Sequence, residues 1–95
     1  MNMQIQSVKF NADQKLINFI EQKLSKIERF NDSNIGSEVI LKLDKDNENG
    51  NKVVVMKLNV PGNELVAERR SHTFEEAVDE CIAALKKQIE KYKAK

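Results

Sequence analysis

The sequence predicts an α+β domain with the order β-α-β-β-β-α, a four-stranded mixed sheet with two helices packed on one face. Three observations lead there. Two long stretches, 14–30 and 73–95, place apolar residues three and four apart, the period of a helix buried on one side. Three shorter stretches, 3–8, 37–44 and 52–60, alternate in the manner of strands. Two turn signals, Asn49-Gly50 and Pro61-Gly62, join the last three strands as hairpins. The chain has 95 residues, enough for one core and no more.

Met3 to Val8 opens the chain as a strand, with Met3, Ile5 and Ser7 on one side. Asp13 is a good N-cap for the first helix, which runs from Gln14 to Phe30. Its apolar positions are Leu16, Ile17, Phe19, Ile20, Leu24, Ile27 and Phe30, and Lys15, Glu21, Lys23, Lys26 and Glu28 lie on its polar side. Residues 31–34 and Gly36 tolerate turn conformations and end it. In the next strand, Ser37 to Asp44, Val39, Leu41 and Leu43 alternate with Ile40 and Lys42. Lys52 to Val60 is the strongest strand, carrying Val54, Met56, Leu58 and Val60 on one face. A fourth strand contains Leu65, Val66 and Ala67 and ends near Arg69. Thr73 and Glu76 form a Thr-x-x-Glu capping box for the last helix, whose stripe is Phe74, Val78, Cys81, Ile82, Leu85, Ile89 and Tyr92. A β-α-β unit makes the first two strands parallel, and the tight turns make the others antiparallel. Both helices then cover one face of the sheet and leave the other to water or a partner.

Hydrophobic residues make up 40% and charged residues 33%, with four Phe, one Tyr and no Trp, so burial rests on Ile, Leu, Val and Met. Net charge is +1, which does not argue for nucleic acid in bulk. Its distribution says more. Residues 71–85 carry four acidic and no basic groups, and residues 86–95 carry five lysines and one Glu. One cysteine forms no internal disulfide, the N-terminus has no secretory pattern, and no apolar run approaches the ~20 residues that cross a bilayer. The chain reads as cytoplasmic, with no membrane partner.

Catalytic chemistry finds no support. His72, the only histidine, sits in a turn without a nucleophile at a recognisable spacing. Cys81 lies on an apolar stripe beside Glu80, which opposes a reactive thiolate. The acidic run 44–50 invites a calcium reading, but its sixth position is Asn49 and its twelfth Val55, where a calcium loop needs Gly and Glu. No metal, cofactor or small-molecule substrate is expected, and the chain does not read as an enzyme. The lysines remain. Lys87, Lys91 and Lys95 stack at i, i+4 and i+8, a spacing at which like charges cost roughly 0.2–0.5 kcal/mol per pair. Compensation of the helix macrodipole explains the sorting of acids and bases, at ~0.3–1 kcal/mol for each lysine, but less well why five lysines are used. Residue chemistry alone leaves a solvated face and an anion-binding face both open. Lys23 and Lys26 extend the patch if the helices pack side by side.

Several segments, in this order and spacing, carry a resemblance. They are Met3-Gln4-Ile5-Gln6, then Leu16 through Lys23-Leu24-Ser25-Lys26-Ile27-Glu28-Arg29-Phe30, then Glu64-Leu65-Val66-Ala67. The last are Phe74-Glu75-Glu76-Ala77-Val78-Asp79 and Leu85-Lys86-Lys87-Gln88-Ile89-Glu90-Lys91. End to end the chain resembles the short ribosome hibernation promoting factors, also called ribosome-associated inhibitor or sigma-54 modulation proteins. The resemblance implies a cytoplasmic protein that binds the small ribosomal subunit between head and body. There it would overlap mRNA and the A- and P-site tRNAs and silence translation by steric occlusion. It implies rRNA contacts by Lys23, Lys26, Lys86, Lys87 and Lys91, and by Arg69 and Arg70. Related chains often have Tyr where this one has Glu75 and a basic residue where it has Ala84, changes that remove a stacking group and a phosphate contact. Many relatives carry a second, ribosome-pairing domain. With 1–95 read as a single ribosome-binding domain, pairing would fall to a separate helper protein. Two alternatives stand beside this reading: a general structured-RNA module, since strands backed by two helices also occur in double-stranded RNA-binding domains, and a protein-interaction domain using the open sheet face.

Overall fold

The computed structural model describes residues 2–8, 10–30, 36–44, 50–60 and 62–93, and has the predicted order. The elements are β1 (Asn2–Val8), α1 (Gln14–Phe30), β2 (Gly36–Leu43), β3 (Lys52–Val60), β4 (Asn63–Ser71) and α2 (Phe74–Lys93). The strands lie in the order β1-β2-β3-β4, with β1 parallel to β2 and the other pairs antiparallel. The expected turn at Asn49-Gly50 falls partly outside the described residues, as do Pro61, residues 31–34, Lys95 and most of the acidic run. Of those turns, Gly50 and Gly62 are described. Both have positive φ, as a tight turn requires.

Register decides the two faces. Val39 sits opposite Met56, Leu41 opposite Val54, Met56 opposite Ala67 and Leu58 opposite Leu65. These inward residues join Ile20, Leu24 and Ile27 of α1 with Val78, Cys81, Leu85 and Ile89 of α2 in one core. Both helices therefore cover the same face. The opposite face is less bare than alternation suggests, since Val53 and Val55 are only 6% and 7% exposed. They lie on an inner strand, flanked by Lys42 and Arg70 and by Ile40 and Glu68. The aliphatic stems of such long side chains cover apolar neighbours while their heads stay in water.

Both expected N-caps are present. The Leu16 N–H donates to Asp13 Oδ1 at 2.8 Å, and the Glu76 N–H donates to Thr73 Oγ1 at 3.1 Å. The second half of the capping box differs, because the Glu76 carboxylate accepts from the Ser71 hydroxyl at 2.6 Å. Ser71 is buried at the end of β4, so its hydroxyl needs an internal acceptor more than the exposed cap does. Cys81 is fully buried, its thiol donating toward the Val54 carbonyl at 3.4 Å with the Ala67 carbonyl 3.8 Å away. Burial pushes this thiol up to about 11 from its ordinary 9.0, only partly offset by nearby Arg69.

Two predictions follow from this packing. A Cβ on Gly50 would lie 2.3 Å from the backbone carbon and oxygen of Ser71, whereas one on Gly62 meets nothing within 4 Å. Gly62→Ala carries only the cost of its positive φ, about 1 kcal/mol. Gly50→Ala adds a backbone clash and should cost about 2 kcal/mol or more, lowering the thermal midpoint by roughly 10 °C; equal midpoints for the two variants would contradict the close approach. For Cys81, the unfolded chain releases the thiol proton near 9 and the folded chain holds it to about 11. The folded state thus binds more protons in that window, and stability falls as pH rises through it, by roughly 2–3 kcal/mol. Chemical denaturation of the parent and Cys81→Ala between pH 8 and ~11 isolates this slope, which the variant should lack.

Candidate nucleic-acid interface

α1 and α2 run alongside each other in the same direction. Leu16 and Phe19 of α1 line a cleft with Phe74 and Glu75 at the start of α2. Further along, Lys23 Nζ lies 3.2 Å from Asp79 Oδ1. Phe10, just after β1, closes the cleft end by stacking on Phe74 with ring centroids 5.0 Å apart. Both helix C-termini consequently lie at one end of the domain, with the β3–β4 turn. The N-caps and the acidic residues Glu75, Glu76 and Asp79 mark the other.

The candidate basic residues divide among three places. Lys23 and Lys26 sit on α1, and Lys86 joins them across the seam between the helices. Lys86 is seven residues beyond Asp79, which returns it to within about 20° of the side that meets α1. Lys87 and Lys91 share a different side of α2, since one residue turns a helix by roughly 100°. They project away from α1, toward the flank where Gln88 donates to the Val66 carbonyl of β4 at 2.8 Å. Arg69 is on that flank, because it pairs with Val54 and so shares the inward face of the sheet edge. Its guanidinium donates to the Glu68 carbonyl at 2.7 Å.

Arg70 lies apart from the others. Consecutive strand residues point to opposite faces, so it sits on the far side of the sheet. There its guanidinium pairs with Asp44 and donates to the Gly50 carbonyl at 3.2 Å, tying the β2–β3 connection to the end of β4. Lys23 is also committed, to Asp79 and to a position 5.3 Å above the Phe19 ring. Lys26, Lys86, Lys87 and Lys91 are exposed and make no ion pair among the described residues. An external anion could reach these four without breaking an ion pair, as it could the exposed Arg69 and, elsewhere on the surface, Lys15 and Lys42.

Other chemistry has little footing. His72 is exposed, Cys81 is buried, and among the described residues no group of three His, Cys, Asp or Glu could hold a metal. No described helix is long and apolar enough to cross a membrane. By its spacing in the sequence Tyr92 belongs to the apolar stripe of α2. It is half-buried and borders a second recess with Gln88, Lys91 and Asn63. The signal was there in Gln88, a polar residue one turn before Tyr92 on the flank of the stripe.

Comparisons with known proteins agree with this arrangement. The structure of a ribosomal subunit interface protein from Coxiella burnetii superposes with a TM-score of 0.88 at 27% identity, covering 100% of both chains. The crystal structure of the Thermus thermophilus Protein Y N-terminal domain shares the fold, with a TM-score of 0.84 at 18% identity over 97% of this chain and 99% of that one. A ribosome hibernation promotion factor from Deinococcus radiodurans is 33% identical over 79 residues, which are 81% of this chain but 41% of that protein. The chain thus spans less than half the length of that relative. Residues 3–95 match the family model described as Sigma 54 modulation protein / S30EA ribosomal protein, and the chain belongs to that family.

Proposed function

We propose that this domain is a ribosome hibernation factor that binds the small ribosomal subunit through rRNA and silences translation. The observation that carries the reading is that Lys26, Lys86, Lys87 and Lys91, in the C-terminal halves of the two helices, are exposed and make no ion pair among the described residues. Phosphate oxygens are the natural partners of such cations, and backbone contacts position a protein on folded RNA without reading its sequence. Seated in the mRNA and tRNA channel between head and body, a domain some 40 Å long would exclude the A- and P-site ligands by bulk alone. No chemical step is needed. The protein would act in the cytoplasm, where its ligand is.

Other surfaces support competing readings less well. Val53 and Val55 are covered, which leaves Val66, at 42% exposure, as the large apolar side chain most open on the outer sheet face. That is little surface for a protein-docking site, which needs a contiguous apolar patch. Arg70, locked to Asp44 and Gly50, contributes to the fold and is left out of the proposed contact set.

Sedimentation with purified ribosomal subunits across a salt series tests the proposal. The chain should co-migrate with small subunits and not large ones. Each phosphate contact should contribute a roughly threefold loss of affinity between 50 and 200 mM salt, so each contact removed lowers the log–log salt slope by about one. Lys87→Glu combined with Lys91→Glu should therefore reduce the slope by about two, and Arg70→Gln should leave it unchanged. Equal affinity for any RNA duplex would replace the reading with a general RNA-binding module, and salt-insensitive binding would remove its electrostatic basis.

A further inference from the structure

Beside the lysine cluster lies a recess that phosphate contacts leave unused. Gly62, Asn63, Leu65, Gln88, Lys91 and Tyr92 line a notch of about 640 Å³ between the β3–β4 turn and the end of α2. Leu65 is buried and forms its apolar floor, and the half-buried Tyr92 gives it an aromatic wall. Both amides are oriented by the backbone. Gln88 Nε2 donates to the Val66 carbonyl at 2.8 Å, which leaves Oε1 as an acceptor. Asn63 Oδ1 accepts the Glu64 N–H at 2.8 Å, which leaves Nδ2 as a donor. Lys91 supplies a cation at the rim, with Lys87 one turn earlier on the same side.

A ring, an apolar floor, one donor, one acceptor and a cation match the parts of a single unstacked nucleotide. A simple anion would use Lys91 and the Asn63 donor but neither the ring nor the Gln88 acceptor, and a hydrocarbon side chain would match neither Asn63 Nδ2 nor Gln88 Oε1. We propose that this notch takes one unpaired nucleotide of ribosomal RNA. The base lies against Tyr92, its edge meets the Asn63 and Gln88 amides, and its phosphate meets Lys91. The site rests on the ribosome-binding reading above and adds a base contact to it.

Tyr92 is the only tyrosine, so its ring protons report on the notch without interference from another Tyr or from Trp. The full chain is titrated by NMR with a single-stranded adenosine heptanucleotide, a blunt RNA duplex and inorganic polyphosphate. The single strand should move the Tyr92 ring signals upfield by ring-current shielding, and the other two should not. Tyr92→Leu keeps an apolar side chain for the core and should weaken single-strand binding by about tenfold, while Tyr92→Phe retains it. Gln88→Ala, which leaves the stripe untouched, should weaken binding severalfold and serves if the Leu variant unfolds. On small subunits, Tyr92→Leu should reduce affinity with an unchanged salt slope, unlike Lys91→Glu, which lowers the slope. Equal shifts with polyphosphate, or unchanged single-strand affinity in both Tyr92→Leu and Gln88→Ala, would overturn the nucleotide site. Intact subunit binding with unmoved Tyr92 signals would overturn it while sparing the proposed function. Absence of subunit binding by the parent chain would instead overturn the proposed function.

Discussion

Chain connectivity constrains this domain more than any single contact. With β1 and β2 parallel and two antiparallel pairings after them, β4 points the same way as β1. Each helix starts from the same end of the sheet, one after each edge strand, and runs back along the same face, so α1 and α2 must run in the same direction. Their N-termini lie together near Asp13, Thr73 and the Phe10–Phe74 stack, and the last turns of α2 lie beside Gly62 at the opposite end. Two helix dipoles therefore add instead of cancelling, with partial positive charge at one end and partial negative charge at the other. The side chains follow suit: Glu75, Glu76 and Asp79 lie at the first end, Lys86, Lys87 and Lys91 at the second.

Dipole compensation alone does not account for the second end. The macrodipole acts mainly over the last turn and is worth ~0.3–1 kcal/mol per lysine at an exposed site. Lys87 and Lys91 repel one another at i, i+4 by roughly 0.2–0.5 kcal/mol, which offsets much of that gain. Acidic partners were within the chain's means, as Lys23 with Asp79 shows. Among the described residues Lys26, Lys86, Lys87 and Lys91 form no such pair, although Glu90 lies one helical turn from Lys86 and Lys87. Sorting charge along the helix thus gains the fold little, and the proposed contact with a polyanion would gain more from it.

Much of this was legible in the sequence. The stripe from Phe74 to Ile89 is buried throughout, and Asp13 and Thr73 cap where expected, because helical period and capping are local properties. Tertiary consequences were harder to read. Glu76 satisfies every local rule for a capping box, yet a buried hydroxyl five residues earlier takes its carboxylate. Arg69 and Arg70 look like one basic pair, but strand alternation sends them to opposite faces, and only the long-range pairing with Asp44 shows that Arg70 is occupied. Lys86 and Lys87 divide in the same way around the helix. The Tyr92 notch was hidden because its far wall comes from the β3–β4 turn, about thirty residues away in sequence.

The two kinds of contact at the α2 end would do different work on a ribosome. Phosphates are alike along every RNA strand, so lysine contacts position the domain by backbone shape and carry no base identity of their own. A protein acting by occlusion gains little from affinity without position, since a shift of one nucleotide along a groove changes which ligand site is covered. A pocket that accepts one unstacked base is satisfied in only one register. Placing Tyr92, Gln88 and Asn63 immediately beside Lys91 couples that choice to the charge contact. Rigid elements hold the wall: Gln88 is bonded to β4, and Leu65 is anchored in the core opposite Leu58. Affinity and register would then come from the same helix end.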